Sequence, residues 1–292
     1  MSLPTRWATL GPTTLFVFLW SSGGIFSKLA ADSTSVFLLL FLRFAVALLA
    51  LLSLRLLGRR LIPEAGTYGR VAVTGLVLIG AYSSSYFLAL SHGVTPGALA
   101  VILGAQPILT LILFDRNWSI ARAAGIVLAF CGLTLTVFQT ISLVEASGAG
   151  IAFALLALAG ATVGGILQKS IKQPPEQVLP LQLAVSALLC LLLLPIQETT
   201  IQFSWQPLVA ILWLGIVISV AAQLLLYRLI RAGNLVNVTS LFYLVPIVTA
   251  LMDYLVFGNR LPVGSMVGMG AILAGLALVF GRVGGVASRA SS

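Results

Sequence analysis

The stretch GALAVILGAQPILTLILF, Gly97 to Phe114, is apolar and long enough to approach a bilayer span, yet it carries a proline, Pro107, in its interior. The pattern returns as VTSLFYLVPIVTALMDYLVF, Val238 to Phe257, with Pro246 in the matching place. Ile108 and Thr110 follow the first proline, and Ile247 and Thr249 follow the second at the same offsets. Beyond each run comes a polar break, then an apolar segment with glycines seven apart: Gly125 and Gly132, Gly268 and Gly275. A proline within a helix removes one backbone hydrogen bond and bends the rod. In lipid such a bend persists only where neighbouring helices or a cavity satisfy the freed carbonyl. Matching bends in two halves of a chain point to a transport site.

Working outward, the duplication extends to other segments. Gly23-Gly24-Ile25-Phe26-Ser27-Lys28 is echoed by Gly164-Gly165-Ile166-Leu167-Gln168-Lys169, and the run Gly75 to Gly93 by Gly215 to Gly233. All these matches fall at nearly one offset, which predicts an internal repeat. The ten candidate spans are roughly 12–31, 34–57, 70–91, 95–114, 120–140, 148–171, 177–195, 206–231, 235–257 and 262–281, each near the ~20 apolar residues that a crossing needs. The expected fold is therefore an all-α integral membrane protein of ten transmembrane helices. Its units are residues 1–142 and 143–292, five spans each. Five is odd, so the second unit begins on the opposite side and the two are inverted copies. Such copies can exchange conformations around a site near the midplane, which is alternating access.

Composition agrees with the bilayer as solvent. Of 292 residues, 60% are hydrophobic and 8% charged, against about 25% charged in soluble domains. Mean hydropathy is +1.12. The net charge of +9 invites a nucleic-acid reading, but its placement argues against one. With the N-terminus in the cytoplasm, that side holds Arg6, Arg55, Arg59, Arg60, Arg70, Arg116, Arg122, Lys169, Lys172, Arg228, Arg231, Arg282 and Arg289; the outer side holds Lys28 and Arg260. This is the positive-inside signature, and it places both termini in the cytoplasm. Cys131 and Cys190 lie in different spans and suit neither a disulfide framework nor a metal site. A signal-peptide reading of the first span conflicts with its length and with the repeat.

The paired proline runs, the glycine-rich segments after them and the ten-span repeat resemble the drug/metabolite transporter superfamily, in its EamA-type branch. The likeness covers essentially the whole chain and is most specific over Ala100 to Gly132 and Thr239 to Gly275. In that branch the fourth helix of each repeat ends in a Gly-Glu-Arg-Leu-like turn. Here the turns read Asp115-Arg116-Asn117-Trp118 and Gly258-Asn259-Arg260-Leu261, both without the glutamate. The resemblance implies a bacterial inner-membrane exporter of amino acids or similar small metabolites.

Enzyme signatures are absent: one histidine, no Gly-x-Ser-x-Gly elbow, no phosphate-cradling glycine loop, no His/Cys metal spacing. No cofactor and no metal are expected. The candidate substrate-binding residues are polar and aromatic side chains within spans: Trp20, Tyr82, Ser85, Tyr86, Gln223, Tyr227, Asn237, Ser240 and Tyr243. Tyr82, Ser85 and Tyr86 fall at i, i+3 and i+4, as Gln223 and Tyr227 fall at i and i+4. Rings with a few hydroxyls and amides suit a small amphipathic solute; the same residue types also glue membrane helices together. Gly24, Pro107, Gly165 and Pro246 are the candidates for gating or kinks. Arg43 lies well inside the second span, where a charge costs roughly 2.5–3.5 kcal/mol on insertion scales. It is a possible charge partner or coupling group, as are Asp253 and His92; snorkelling or end-capping would also account for them. The expected partners are a small-molecule substrate, an amino acid foremost, and membrane lipids, with no nucleic acid, and the chain is expected to act as a monomer. Within the transporter reading broad drug efflux is the alternative; outside it, a channel or scramblase.

Overall fold

A computed structural model describes residues 4–31, 35–53, 58, 60–115, 119–138, 146–197, 205–257 and 262–281. These form ten helices: α1 (Pro4–Ala31), α2 (Val36–Ser53), α3 (Tyr68–Ser91), α4 (Pro96–Phe114), α5 (Ile120–Thr136), α6 (Gly148–Ser170), α7 (Pro175–Ile196), α8 (Trp205–Ala232), α9 (235–257) and α10 (Val263–Gly281). Eight of them, α2 to α4 and α6 to α10, contain stretches long and apolar enough to cross a membrane. α5 is a shorter apolar helix of 17 residues, and α1 has 28. Running alternately up and down, the ten helices bring the start of α1 and the end of α10 to one face, called here the terminal face.

Local sequence sets the helix starts. Thr95 caps α4 by accepting from the Ala98 N–H, with Pro96 in the first turn, where its missing N–H costs nothing. Ser119 caps α5 through the Arg122 N–H, Ser147 caps α6 through the Gly150 N–H, and Asn234 caps α9 through the N–H groups of Val236 and Asn237. Large apolar side chains such as Leu113, Ile120, Leu192 and Leu255 face outward. In hydrocarbon that exposure is the ordinary state of a spanning helix.

The halves are inverted, and the pairing of α5 with α10 shows it directly. Gly125 lies against Gly275, and Gly132 against Gly268. A β-carbon on Gly132 would sit 2.7 Å from the Gly268 carbonyl oxygen, and one on Gly275 would sit 2.5 Å from that of Gly125. In the repeat, Gly125 corresponds to Gly268 and Gly132 to Gly275. Each therefore meets the mate of the other, so the two equivalent helices cross antiparallel. Only a two-fold axis perpendicular to them, lying in the membrane plane, produces that pairing. The remaining contacts obey the same operation: α2 packs on α7, α1 on α9 as α6 on α4, and α2 on α8 as α7 on α3.

Two departures from continuous α-helix were not expected from the sequence. α3 carries a π-helical segment at Leu76–Ala81 and α8 one at Trp213–Ala222, at corresponding places in the two halves. The proline runs, expected as single bent rods, are instead broken. α4 consists of Pro96–Gly104 and Gln106–Phe114, with a turn at Ala105. α9 consists of Leu235–Ser240, a 3-10 turn at Leu241–Tyr243, and Leu244–Phe257. Each proline falls in the first turn of the second piece, where no intrahelical N–H is needed, so the break precedes the proline.

Gly132→Ala or Gly275→Ala should lower stability by about 1–3 kcal/mol, because the new methyl meets backbone that cannot step aside. Gly270→Ala on α10, where nothing lies within 4 Å, should be neutral or better. Thermal unfolding in detergent reads the difference, and equal Tm values for the three variants would contradict the packing described.

Candidate functional site

The breaks in α4 and α9 open a cavity of about 250 Å³ between the halves. Its walls come mainly from α1, α3, α4, α6, α8 and α9, with Arg43 and Phe44 from α2, Leu133 from α5 and Leu183 from α7. Proline removes the N–H that would have bonded the carbonyl four residues earlier. Those residues, Leu103 before Pro107 and Phe242 before Pro246, both line the cavity. The halves thus present corresponding stretches of interrupted backbone to the same space.

The wall is largely aromatic. Trp20 and Phe242 meet edge to face at 5.3 Å, and Tyr82 and Tyr86 lie 6.1 Å apart. Polar groups are few. The Tyr243 hydroxyl donates to the Gly104 carbonyl at 2.7 Å, joining α9 to the broken part of α4. Gln106 Nε2 donates to the Ala161 carbonyl at 3.1 Å. Arg43 Nε donates to Ser219 Oγ at 2.8 Å, with its guanidinium carbon 5.8 Å from the Phe44 ring centroid. No aspartate or glutamate is among the described lining residues.

The cavity is open at one end. Gly24 and Pro96, near the face opposite the termini, are exposed. Toward the terminal face, Leu226, Ile230, Leu235 and Val238 are buried and seal it. Polar bonds between the halves reinforce that seal. Arg122 at the start of α5 donates to Asp115 (2.5 Å), Asn234 (2.5 Å) and Asn237 (2.7 Å). Asn234 Nδ2 also donates to Asp115, at 3.2 Å. Within the second half, Lys169 Nζ donates to the carbonyls of Ile230 (2.6 Å), Arg231 (3.2 Å) and Gly233, closing the last turn of α8.

Of the residues singled out from the sequence, Trp20, Gly24, Arg43, Tyr82, Tyr86, Pro107, Gly165, Gln223, Tyr243 and Pro246 line the cavity. Ser85 does not. It faces a shallow groove beside Gly160, because the turn that presents Tyr82, Ser83, Tyr86 and Phe87 to the cavity carries it around the helix. Tyr227 is buried outside the cavity, its hydroxyl donating to Gln182 Oε1 at 2.6 Å. Asn237 belongs to the Arg122 cluster, and the Ser240 hydroxyl donates to its own helix at the Val236 carbonyl, 2.7 Å away. His92 sits at the end of α3 with Nδ1 2.8 Å from the Leu88 carbonyl and its ring 5.3 Å from Phe153. The side chain of Asp253 lies outside the described residues, as do both Gly-Glu-Arg-Leu-like turns apart from Asp115.

The sequence reading passed over Ser83, Gln106, Ser219, Phe242 and Thr249, all of which line the cavity. Two carried a usable signal. Gln106 directly precedes Pro107, and Ser219 is the one hydroxyl in the otherwise apolar run Trp213–Ala222.

Residues 12–138 and 148–281 each match the EamA-like transporter family. No curated protein sequence matches the chain. A solved structure titled "Crystal structure of protein" superposes with a TM-score of 0.78 at 18% identity, over 92% of this chain and 98% of the other. At that identity the likeness concerns the fold alone.

Tyr243→Phe should lower stability by about 0.5–1.5 kcal/mol, since the Gly104 carbonyl loses its donor while the ring stays packed. Thermal unfolding in detergent measures this, and an unchanged Tm would show that the bond across the break contributes nothing.

Proposed function

The chain belongs to the EamA-like transporter family, and from that premise we propose that it exports amino acids or similar small metabolites across a bacterial inner membrane by alternating access. The observation that carries this reading is the cavity itself: it lies between inverted halves, open to one face and sealed at the other by residues of both. In inverted-repeat carriers the second state arises when the halves exchange conformations, so the seal moves to the opposite face. The basic residues favour a cytoplasmic terminal face. On that assignment the described state is open outward.

Trp20, Tyr82, Tyr86, Gln223 and Tyr243 are the proposed solute contacts, with Pro107 and Pro246 fixing the breaks that make room for it. A cavity of this size suits a metabolite, being near the low end of the ~300–1,000 Å³ usual for ligand pockets. The aromatic wall gives broad drug efflux as the second reading, since rings accept many apolar shapes. A channel fits poorly, because a conducting path would not end against buried leucine and isoleucine.

Two experiments address this. In proteoliposomes, a panel of labelled amino acids with and without a pH gradient should reveal saturable, counterflow-capable flux. Tyr82→Ala, Gln223→Ala and Tyr243→Ala, at matched protein levels, should reduce it. Non-saturable ion current, or unchanged flux in all three variants, would overturn the carrier reading or its site.

The seal is tested separately. A cysteine replacing Ile230, in a background without Cys131 and Cys190, should react slowly with an impermeant maleimide applied from the terminal face. Arg122→Ala should speed that reaction about tenfold, the equivalent of ~1.4 kcal/mol and the low end of what charged hydrogen bonds contribute. An unchanged rate would remove the Arg122 cluster from the seal.

A further inference from the structure

Arg43 has a repeat mate. Leu42-Arg43-Phe44-Ala45-Val46 in α2 corresponds to Leu181-Gln182-Leu183-Ala184-Val185 in α7, at the offset that also relates the proline helices. Gln182 is fully buried with both ends of its amide engaged: its Nε2 donates to Gln168 Oε1 at 2.9 Å, and its Oε1 accepts from the Tyr227 hydroxyl at 2.6 Å. At the corresponding places around Arg43 stand Ser27, in the position of Gln168, and Phe87, in that of Tyr227. Serine is too short to replace the amide, and phenylalanine has no oxygen. Both line the cavity. Where one half closes a neutral network on itself, the other leaves a guanidinium facing open space.

Among the described residues, the Nε bond to Ser219 is the one hydrogen bond Arg43 makes. That bond fixes the plane of the fork and leaves both Nη groups without a protein acceptor. Its ionisable neighbours are Tyr82 and Tyr86, which line the cavity, and Cys190, buried behind it, with no carboxylate among the described lining residues. A partly buried guanidinium with a free edge is a carboxylate receptor, because its donors match the two oxygens bidentately.

We propose that Arg43 binds the carboxylate of the transported solute, so that this cavity recognises an organic anion head on an apolar body and does not read an α-ammonium group. The assignment rests on the reading that the cavity carries a solute, and it narrows the class. The rings of Trp20, Tyr86 and Phe242 hold the body, Arg43 holds the acid, and Ser219 positions Arg43. A solute whose only charge is positive meets repulsion from Arg43 and no described acidic partner.

Three ligands matched in side chain test this on the purified full-length protein in detergent: phenylalanine, 3-phenylpropionate and 2-phenylethylamine. Binding is read by isothermal calorimetry and by the shift in Tm. The acid should bind within about threefold of the amino acid and the amine at least about tenfold more weakly, as when a site loses the group it was built to bond. Arg43→Gln should weaken both carboxylates about tenfold or more and leave the amine unchanged or better, while Arg43→Lys, which keeps charge but not the fork, should fall between. The ligand series needs no variant, so it decides even if Arg43→Gln fails to fold. Amine binding as tight as acid binding, no binding of the acid at millimolar concentration, or full acid affinity in Arg43→Gln would each overturn the assignment. If the acid binds but no amino acid crosses in the flux panel, the assignment stands and the proposed amino-acid export falls. Flux of amino acids with no preference for the carboxylate gives the opposite outcome.

Discussion

Within hydrocarbon each backbone N–H and C=O must find its partner inside the protein, and the architecture follows from that requirement. It makes every crossing helical. It also makes interrupted helix tolerable only where the interruption faces other protein or an aqueous space. The broken parts of α4 and α9 therefore face the cavity between the halves, while the ends of the same helices, at Leu113 and Leu255, turn outward. The cavity follows from this placement. Bonds such as Tyr243 to Gly104 and Gln106 to Ala161 then bridge the gap that the breaks create.

A symmetric scaffold carries unsymmetric chemistry. At the terminal face, Arg122, Asp115, Asn234 and Asn237 hold the halves together. The positions corresponding to Arg122, Asn234 and Asn237 at the other face are Ser265, Thr95 and Ala98, none of them charged. Arg43 and Gln182 differ in the same manner. The backbone thus offers two equivalent arrangements, while the side chains weight them unequally. The described state, sealed where the charged cluster is, is the one those contacts favour.

Much of this was legible in the sequence. Hydropathy gave the spans, the repeat offset gave the inversion, and the prolines marked the helices that shape the cavity. Helical spacing served well where a face is uniform, placing Tyr82 and Tyr86 together. It served poorly where two surfaces share a turn, as with Ser85, which lies on the same helical spacing but looks into another groove. Tyr227 and Asn237 carry the residue types of a polar lining, yet their partners are Gln182 and Arg122, far off in the chain. Periodicity contains no information about such partners. The π-helical segments were invisible because their apolar runs read as ordinary helix; the segment in α3 packs on α6 and α7, and the one in α8 on α1 and α2.

The glycine contact between α5 and α10 has a further property. Exchanging the halves maps Gly125 on Gly275 onto Gly268 on Gly132, so this junction turns into itself. Interfaces between elements that are not repeat mates, such as α1 on α9 or α2 on α8, would have to be remade in the proposed cycle, whereas this one can persist through it. It is the fulcrum of the molecule, and a flaw there burdens both end states alike: it would thin the population of carriers without altering which way a surviving carrier faces.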